Sequence, residues 1–361
     1  MIPAWKIRRE LQRLGQQLSA IHQALWEPIL QRRHDRAVQK GLPVFDGAVT
    51  QRPKIALYLL YQPSVLPKSI VETCQFLADH GYSPLIVAND GLSAENRDQL
   101  LPFVWKILER PNIGYDFGGY RDGILQLQMW DVEPDKLLIL NDSIWFPILP
   151  GDTLLDRMEA AKADVAGTVL RQKGNFGFLE SYLYLIDGSV LKNEAMRNFW
   201  RSYRLTANKY KVIRRGERGH SAALWDAGFK LHPMFSATTF LSLIRREDDV
   251  FLEKTIQFGV AKTASQSAER EAILHATRDK DWREAALNHI EKILQSSQFY
   301  SAFPYASVRL LNYPILKRSG DMVSVLWRRA YLGAINAGAL EPPLPTILAE
   351  LKSQVAREAT T

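Results

Sequence analysis

The amino-acid sequence predicts an α/β fold: a mainly parallel sheet flanked by helices, preceded by an amphipathic helix and followed by a helical region. Three observations carry that expectation. Short apolar runs at 55–61, 84–88, 103–109 and 136–140 alternate with helix-length segments, the spacing of βαβ units. The clearest runs are continuously apolar rather than alternating, as strands covered on both faces are. Beyond about residue 240 such runs fade, and helical periodicity takes over at 266–295, 321–337 and 344–357. At 361 residues, 46% hydrophobic and 24% charged, the chain can bury a sizeable core and lacks the composition of a disordered one.

Residues 5–27 read as one helix. Ile7, Leu11, Leu14, Leu18, Ile21 and Leu25 recur at alternating spacings of four and three with polar residues between them, and Pro28 disrupts the pattern. Residues 1–40 hold eight Lys/Arg against three acids, a net of +5, out of +7 for the whole chain. The basic excess is therefore local. Three uses fit this arm: a short coiled coil that makes a homodimer, a basic helix on an anionic membrane with Trp5 and Trp26 at the interface, or a helix packed on its own domain. Gly41, Pro43, Gly47 and Pro53 mark 41–53 as a linker. That leaves a domain at 54–240 between the arm (1–40) and the helical region (241–361). Within the domain, helices are expected at 67–80, 92–101 and 118–130. Two further strands at 164–170 and 181–186, then helices at 189–204 and 216–228, complete it.

No apolar run approaches the roughly 18–20 residues that cross a bilayer. Lys6, Arg8, Arg9 and Arg13 interrupt any signal-peptide core, so the expected location is cytoplasmic, at most on the inner face of the plasma membrane. No nucleic-acid partner is expected, because basic residues are not spread among aromatics over a folded face. The lone Cys74 permits no disulfide framework, and no Cys/His cluster suggests zinc. Gly-x-Ser-x-Gly, His-Glu-x-x-His and Cys-x-x-Cys are all missing, which leaves hydrolase triads and zinc chemistry unsupported.

Ligands of parallel α/β sheets sit at the carboxyl ends of the strands. That rule singles out Asn89 and Asp90, the segment from Asn112 to Gly119, and Asn141, Asp142 and Ser143. In the second of these, Gly114, Gly118 and Gly119 allow close backbone approach, and the helix that follows can turn its amides toward phosphate. A tight turn with no ligand accounts for the same glycines. The pattern is neither a Rossmann fingerprint nor a Walker loop. At the third place, Asp142 can anchor a divalent cation, Mg2+ or Mn2+, that neutralises a diphosphate. It can equally cap a turn.

The run Asn-Ile-Gly-Tyr-Asp-Phe-Gly-Gly at 112–119, followed by a strand ending Leu-Asn-Asp-Ser at 140–143, resembles the rhamnan synthesis protein F family. These are glycosyltransferase-like proteins of bacterial rhamnan, O-antigen and capsule clusters, and the resemblance covers about residues 54–240. It implies a GT-A-like nucleotide-diphosphosugar transferase fold. The order of elements is also similar to that of inverting GT-A transferases, in which an Asn-x-Gly loop precedes an Asp motif and a late helix opens with an acidic residue. Glu217 matches that acidic position in spacing, although Arg218 stands where a second acid is expected.

The resemblance implies transfer of a sugar, rhamnose or another deoxyhexose, from a nucleoside diphosphate to a hydroxyl of a growing, lipid-linked or free, glycan. Asp90 would then hold the nucleoside. Asn112, Gly114, Tyr115, Asp116, Gly118 and Gly119 would hold the sugar or diphosphate. Asp142 would ligate the cation, supported by Asn141 and Ser143, with His232 as a late second ligand. Glu217 would be the base, and Asp116 the next residue to test in that role. Glu217 can instead be an N-terminal acid favoured by the helix dipole. His220 and the run 209–215 either bind anions or merely decorate the surface. Because the metal motif has one carboxylate, the competing expectation is a non-catalytic module of the same fold that scaffolds polysaccharide assembly.

Overall fold

The computed structural model describes residues 26–62, 64–173, 176–279 and 281–359. Most of the stretch read as helix 5–27 lies outside them. Residues 26–40 are helical (α1), with Pro28 near the start of the described stretch. His34 and Val38, four residues apart, form its buried face. The stretch expected to be a linker contains a short strand, β1 (Val44–Asp46).

The expected alternation follows: β2 (Lys54–Leu60), α2 (Lys68–Asp79), β3 (Tyr82–Asn89), α3 (Ala94–Leu100), β4 (Lys106–Arg110), α4 (Tyr115–Met129) and β5 (Lys136–Asn141). These four long strands are parallel to one another, in the order β4, β3, β2, β5. The second half is less regular. It comprises β6 (Ile144–Trp145), α5 (Leu154–Ala160), β7 (Val165–Lys173), β8 (Phe176–Leu179), β9 (Leu183–Asp187), α6 (Gly188–Lys192) and α7 (Glu194–Ser202). Next come α8 (Lys209–Val212), a π-helical stretch (Ile213–Arg218), α9 (Gly219–Asp226) and β10 (Leu231–Phe235). The sheet extends as β5, β9, β7, β10, with β9 antiparallel to both neighbours, and β8 pairs with β7. The result is a mixed sheet whose central strands are parallel.

Side chains of a strand alternate between faces, and β2 divides the core accordingly. Ile55, Leu57 and Leu59 pack with Phe117, Tyr120 and Ile124 of α4. Ala56, Tyr58 and Leu60 pack with Ile70, Cys74 and Leu77 of α2. Helices α10 to α17, between Ala237 and Ala359, join that second face: Phe240, Ile290, Phe299 and Trp327 belong to the same apolar cluster as Tyr58. The C-terminal region is thus helical as expected, but it is integral to the core and not an appendage. It also contains β11 (Leu316–Lys317), which pairs antiparallel with β6.

The chain leaves β2 toward β3 and β4, then returns to the other side of β2 as β5. That reversal is the topological switch point, where the carboxyl ends of neighbouring strands open a crevice. Leu60, Asn89 and Asn141 end the three strands concerned.

Candidate active site at the carboxyl edge of the sheet

At the end of β5 the two polar side chains take different partners. Asp142 Oδ2 accepts hydrogen bonds from the Tyr61 N–H and the Gln62 amide, each at 2.7 Å. Asn141 Oδ1 accepts from the Ser143 hydroxyl at 2.5 Å and the Ser143 N–H at 3.2 Å. Its NH2 is left to donate to Asp116 Oδ2 at 3.2 Å and to the Tyr120 hydroxyl at 2.9 Å. Tyr120 donates in turn to the Ser181 carbonyl at 2.9 Å. The Ser181 hydroxyl donates to Glu217 Oε1 at 2.6 Å. One hydrogen-bonded path therefore links Asp116, Asn141 and Glu217, residues the sequence singled out separately.

Burial pushes Asp116 up to about 6, and the negative charges of Asp142 and Glu217 add to the effect; Lys317 and Lys209 oppose it. Burial likewise raises Asp142, against the Tyr61 and Gln62 hydrogen bonds and the Arg318 charge. Asp116 thus senses both neighbouring carboxylates. Glu217 does not open a helix. It lies in the π-helical stretch between α8 and α9, so stabilisation by a helix N-terminus does not account for it. Such π-helical insertions are frequent at functional sites.

The glycine-rich segment folds as α4 and the turn before it. Gly114 caps the helix with φ +89°, and Tyr115 follows at φ 52°. A Cβ on Gly118 would lie 2.1 Å from the Ile113 carbonyl oxygen, and one on Gly119 would lie 2.2 Å from Leu59 Cδ1. The packing of α4 on its own turn and on β2 requires both glycines, which accounts for them without a ligand. Asp90, at φ 63°, accepts from the Asn112 N–H at 2.9 Å, which brings the ends of β3 and β4 together. Tyr115 is partly exposed and donates to the Ala207 carbonyl at 3.2 Å.

Beneath this turn is a buried ionic network that the sequence did not reveal. Arg110 donates to Asp122 Oδ2 at 2.5 Å, to the Ile113 carbonyl at 2.6 Å and to Asn89 Oδ1. Asp122 also meets His34 of α1 at 2.6 Å and Arg121 at 3.2 Å. Burial alone would raise the Asp122 carboxyl, but the His34 hydrogen bond and the Arg110 charge more than offset it and hold the carboxyl low. Helix α1 is thereby fastened to the domain. Of the three readings of the N-terminal segment, packing on its own domain describes residues 26–40. No local pattern marks Arg110 or Asp122, because their partners come from 12 and 88 residues away.

Two histidines take places other than those expected. His220 is buried among the rings of Phe117, Tyr184, Phe199 and Trp200. Burial pushes it down to about 3, so it is a neutral core residue and not an anion binder. His232 is exposed on β10, level with Ala166 of β7, Leu185 of β9 and Leu138 of β5. Three strand spacings and three residues separate it from Asn141, about 17 Å, too far to share a cation with Asp142. In the basic run, Lys211 and Arg215 pair with Glu27 of α1 at 2.9 and 3.1 Å.

The expected divalent cation does not fit these residues. Among the described residues no group of three or more His, Cys, Asp or Glu could hold a metal ion. One oxygen of Asp142 already serves two donors, and Asn141 turns its NH2, not its oxygen, toward the carboxylates.

The C-terminal region closes one side of this site. The Arg318 N–H donates to the Ser143 carbonyl at 2.7 Å. Its guanidinium lies 4.7 Å from the Trp145 ring centroid and donates to Ser69 Oγ and, at 3.1 Å, to the Ile144 carbonyl. Trp145 Nε1 donates to Glu350 of α17 (Pro345–Ala359) at 2.7 Å. A cleft of about 740 Å3 opens between them, lined among others by Gln62, Asp142, Ser143, Arg318 and Gln354. That is room for a small-molecule ligand.

Comparison with known proteins agrees with the motifs. A protein of Sinorhizobium fredii described as uncharacterized is 27% identical over 339 residues, 92% of this chain and 88% of that protein. Among solved structures, the glycosyltransferase GlyE of Streptococcus pneumoniae is similar over 82% of this chain at 12% identity and a TM-score of 0.34; the chain spans 65% of GlyE's length. The mannosyltransferase PcManGT of Pyrobaculum calidifontis, solved with GDP-Man and Mn2+, is similar over 97% of this chain and 92% of its own at 13% identity and a TM-score of 0.30. Scores this low describe a loose likeness of layers and nothing of chemistry. The family model described as Rhamnan synthesis protein F matches residues 85–262, a span that contains Asn112 to Gly119, Asn141 to Ser143 and Glu217.

Proposed function

We propose that this protein is a GT-A-like glycosyltransferase of polysaccharide synthesis, moving a sugar from a nucleoside diphosphate to a glycan hydroxyl. The observation that carries the reading is the hydrogen-bonded set Asp116, Asn141 and Glu217 at the switch point of the sheet, within the span matched by the family. The donor would bind with its nucleoside toward Asp90 and Asn112 and its sugar at Asp116. A deoxyhexose such as rhamnose is the donor sugar suggested by the family's name, and a lipid-linked or free glycan the acceptor.

Glu217 is proposed as the base. Ser181 holds Oε1 and leaves Oε2 to take the proton of the acceptor hydroxyl as its oxygen bonds to the anomeric carbon. The bond from that carbon to the diphosphate breaks, and the diphosphate leaves with the electron pair. General-base catalysis contributes about 10²–10⁴-fold to rate. Glu217→Gln is therefore expected to depress kcat at least about a hundredfold with melting temperature close to wild type. A variant within about threefold of wild type, on a scale where a base is worth far more, removes Glu217 from the mechanism.

The purified chain is to be incubated with UDP-, GDP- and dTDP-sugars and assayed for slow hydrolysis and for transfer. A non-catalytic scaffold, the reading favoured by the single carboxylate at Asp142, predicts no turnover of any donor.

A further inference from the structure

The residues at Asp142 fit a divalent cation poorly, yet a departing diphosphate needs positive charge beside it. That charge comes from the C-terminal region, where Lys317 and Arg318 lie. Strand β11 pairs with β6 in the register Lys317↔Ile144 and Leu316↔Trp145, immediately after Asn141, Asp142 and Ser143. The Arg318 N–H adds a further bond to Ser143. This ribbon sets two cations against the two carboxylates of the site. Arg318 acts on Asp142, and Lys317 acts on Asp116.

The two cations differ in how far they are engaged. Arg318 is anchored to Ser69, the Ile144 carbonyl and Glu350, although a guanidinium has five N–H donors and keeps some to spare. The Lys317 ammonium has no carboxylate within ion-pair distance among the described residues. It lies 4.3 Å from the centroid of the Tyr182 ring, and Tyr182 follows Ser181, the residue that holds Glu217. A half-buried ammonium with three donors that, among the described residues, rests on an aromatic face is poised to receive an anion.

We infer that Lys317, with Arg318 beside it, is the diphosphate-binding group of this site, in the role the sequence motif would give to a metal. The inference rests on the donor reading above and names the charge that recognises it. Nucleoside diphosphate should then bind without any divalent ion.

The test is calorimetric titration of the full chain with UDP, GDP and dTDP in EDTA and again with Mg2+ or Mn2+. At least one nucleotide is expected to bind in EDTA. Lys317→Met keeps the stem over Tyr182 but removes the charge, and should weaken that binding about tenfold or more, the scale of a lost charge-assisted hydrogen bond. Lys317→Arg should restore most of it. Circular dichroism melts of each variant report folding, and the wild-type result in EDTA stands even if a variant fails to fold. Binding only when metal is added, or a Lys317→Met affinity within about twofold of wild type, overturns the inference and leaves the donor reading intact. Absence of nucleotide binding in both buffers overturns both.

Discussion

Replacing Asp116 by asparagine is expected to make the protein more stable at pH 8 and to change little at pH 4. The Asp116 carboxyl stands at about 6 in the folded chain against an ordinary value of 3.8. Its folded pKa is raised, so its favourable contribution is complete below 3.8 and is lost as pH rises through 6. Above that, the ionised carboxylate is a liability. At 1.36 kcal/mol per pKa unit, a rise of roughly two units is worth about 3 kcal/mol. Part of the side chain is open to solvent, and Asp142 and Glu217 share the effect, which reduces the figure to about 1–2 kcal/mol. Asparagine keeps an oxygen for the Asn141 NH2, so the hydrogen bond at 3.2 Å need not be lost. In a large domain the gain corresponds to a few degrees of melting temperature. Thermal unfolding followed by circular dichroism at pH 4 and pH 8, wild type beside variant, measures it. A variant that melts lower at pH 8, or that differs equally at both pH values, would refute the placement of Asp116 in a desolvated cluster of like charges.

Three further outcomes are expected. Asp122→Asn leaves Arg110 buried without its counter-ion and should cost about 3–5 kcal/mol, read as a lower urea midpoint with an unchanged slope. Gly119→Ala drives a methyl against Leu59 and should lower stability by about 1–3 kcal/mol, visible as a reduced melting temperature in a chain that still folds. Deleting residues 1–25 removes Lys6, Arg8, Arg9 and Arg13 but keeps His34. Such a chain should fold and should lose any salt-sensitive co-sedimentation with anionic liposomes; if full-length protein never sediments with them, the membrane reading of the arm falls, and loss of a dimer on deletion favours the coiled coil.

Much of the fold was legible because burial on both faces imprints a simple signal. The residues of β2, β3 and β5 are nearly all apolar, and such runs need no partner to be recognised. The direction of β9 was not legible, since a five-residue apolar strand reads the same parallel or antiparallel. Strands β6 and β11 are two residues long, below any periodicity. Asp116, Asn141, Asp142 and Glu217, which the structure brings near one another, could be singled out because strand ends and loop motifs are local. Their counter-charges could not: Lys317 comes from the region where the sequence shows no motif at all. The glycines mark a tight place, and a sequence cannot say whether the neighbour that needs room is Leu59 or a phosphate; the structure shows Leu59 beside Gly119. His220 illustrates the same limit, as its helical position gives no hint of four surrounding aromatic rings.

The pairing of β6 with β11 has a consequence for how the molecule comes into being. Trp145 must wait for Leu316, far along the chain, before the ribbon can form. Closing so long a loop adds little to the thermodynamic cost, since each doubling of length is worth only about 0.6 kcal/mol, but contacts of large sequence separation form late. The parallel strands from β2 to β5 can assemble during synthesis while Lys317 and Arg318 are still unmade. A chain interrupted anywhere before that ribbon would carry the three carboxylates without their cations, a half-built crevice that, on the reading proposed above, would repel a diphosphate. The crevice is therefore complete only once the β6–β11 ribbon has formed.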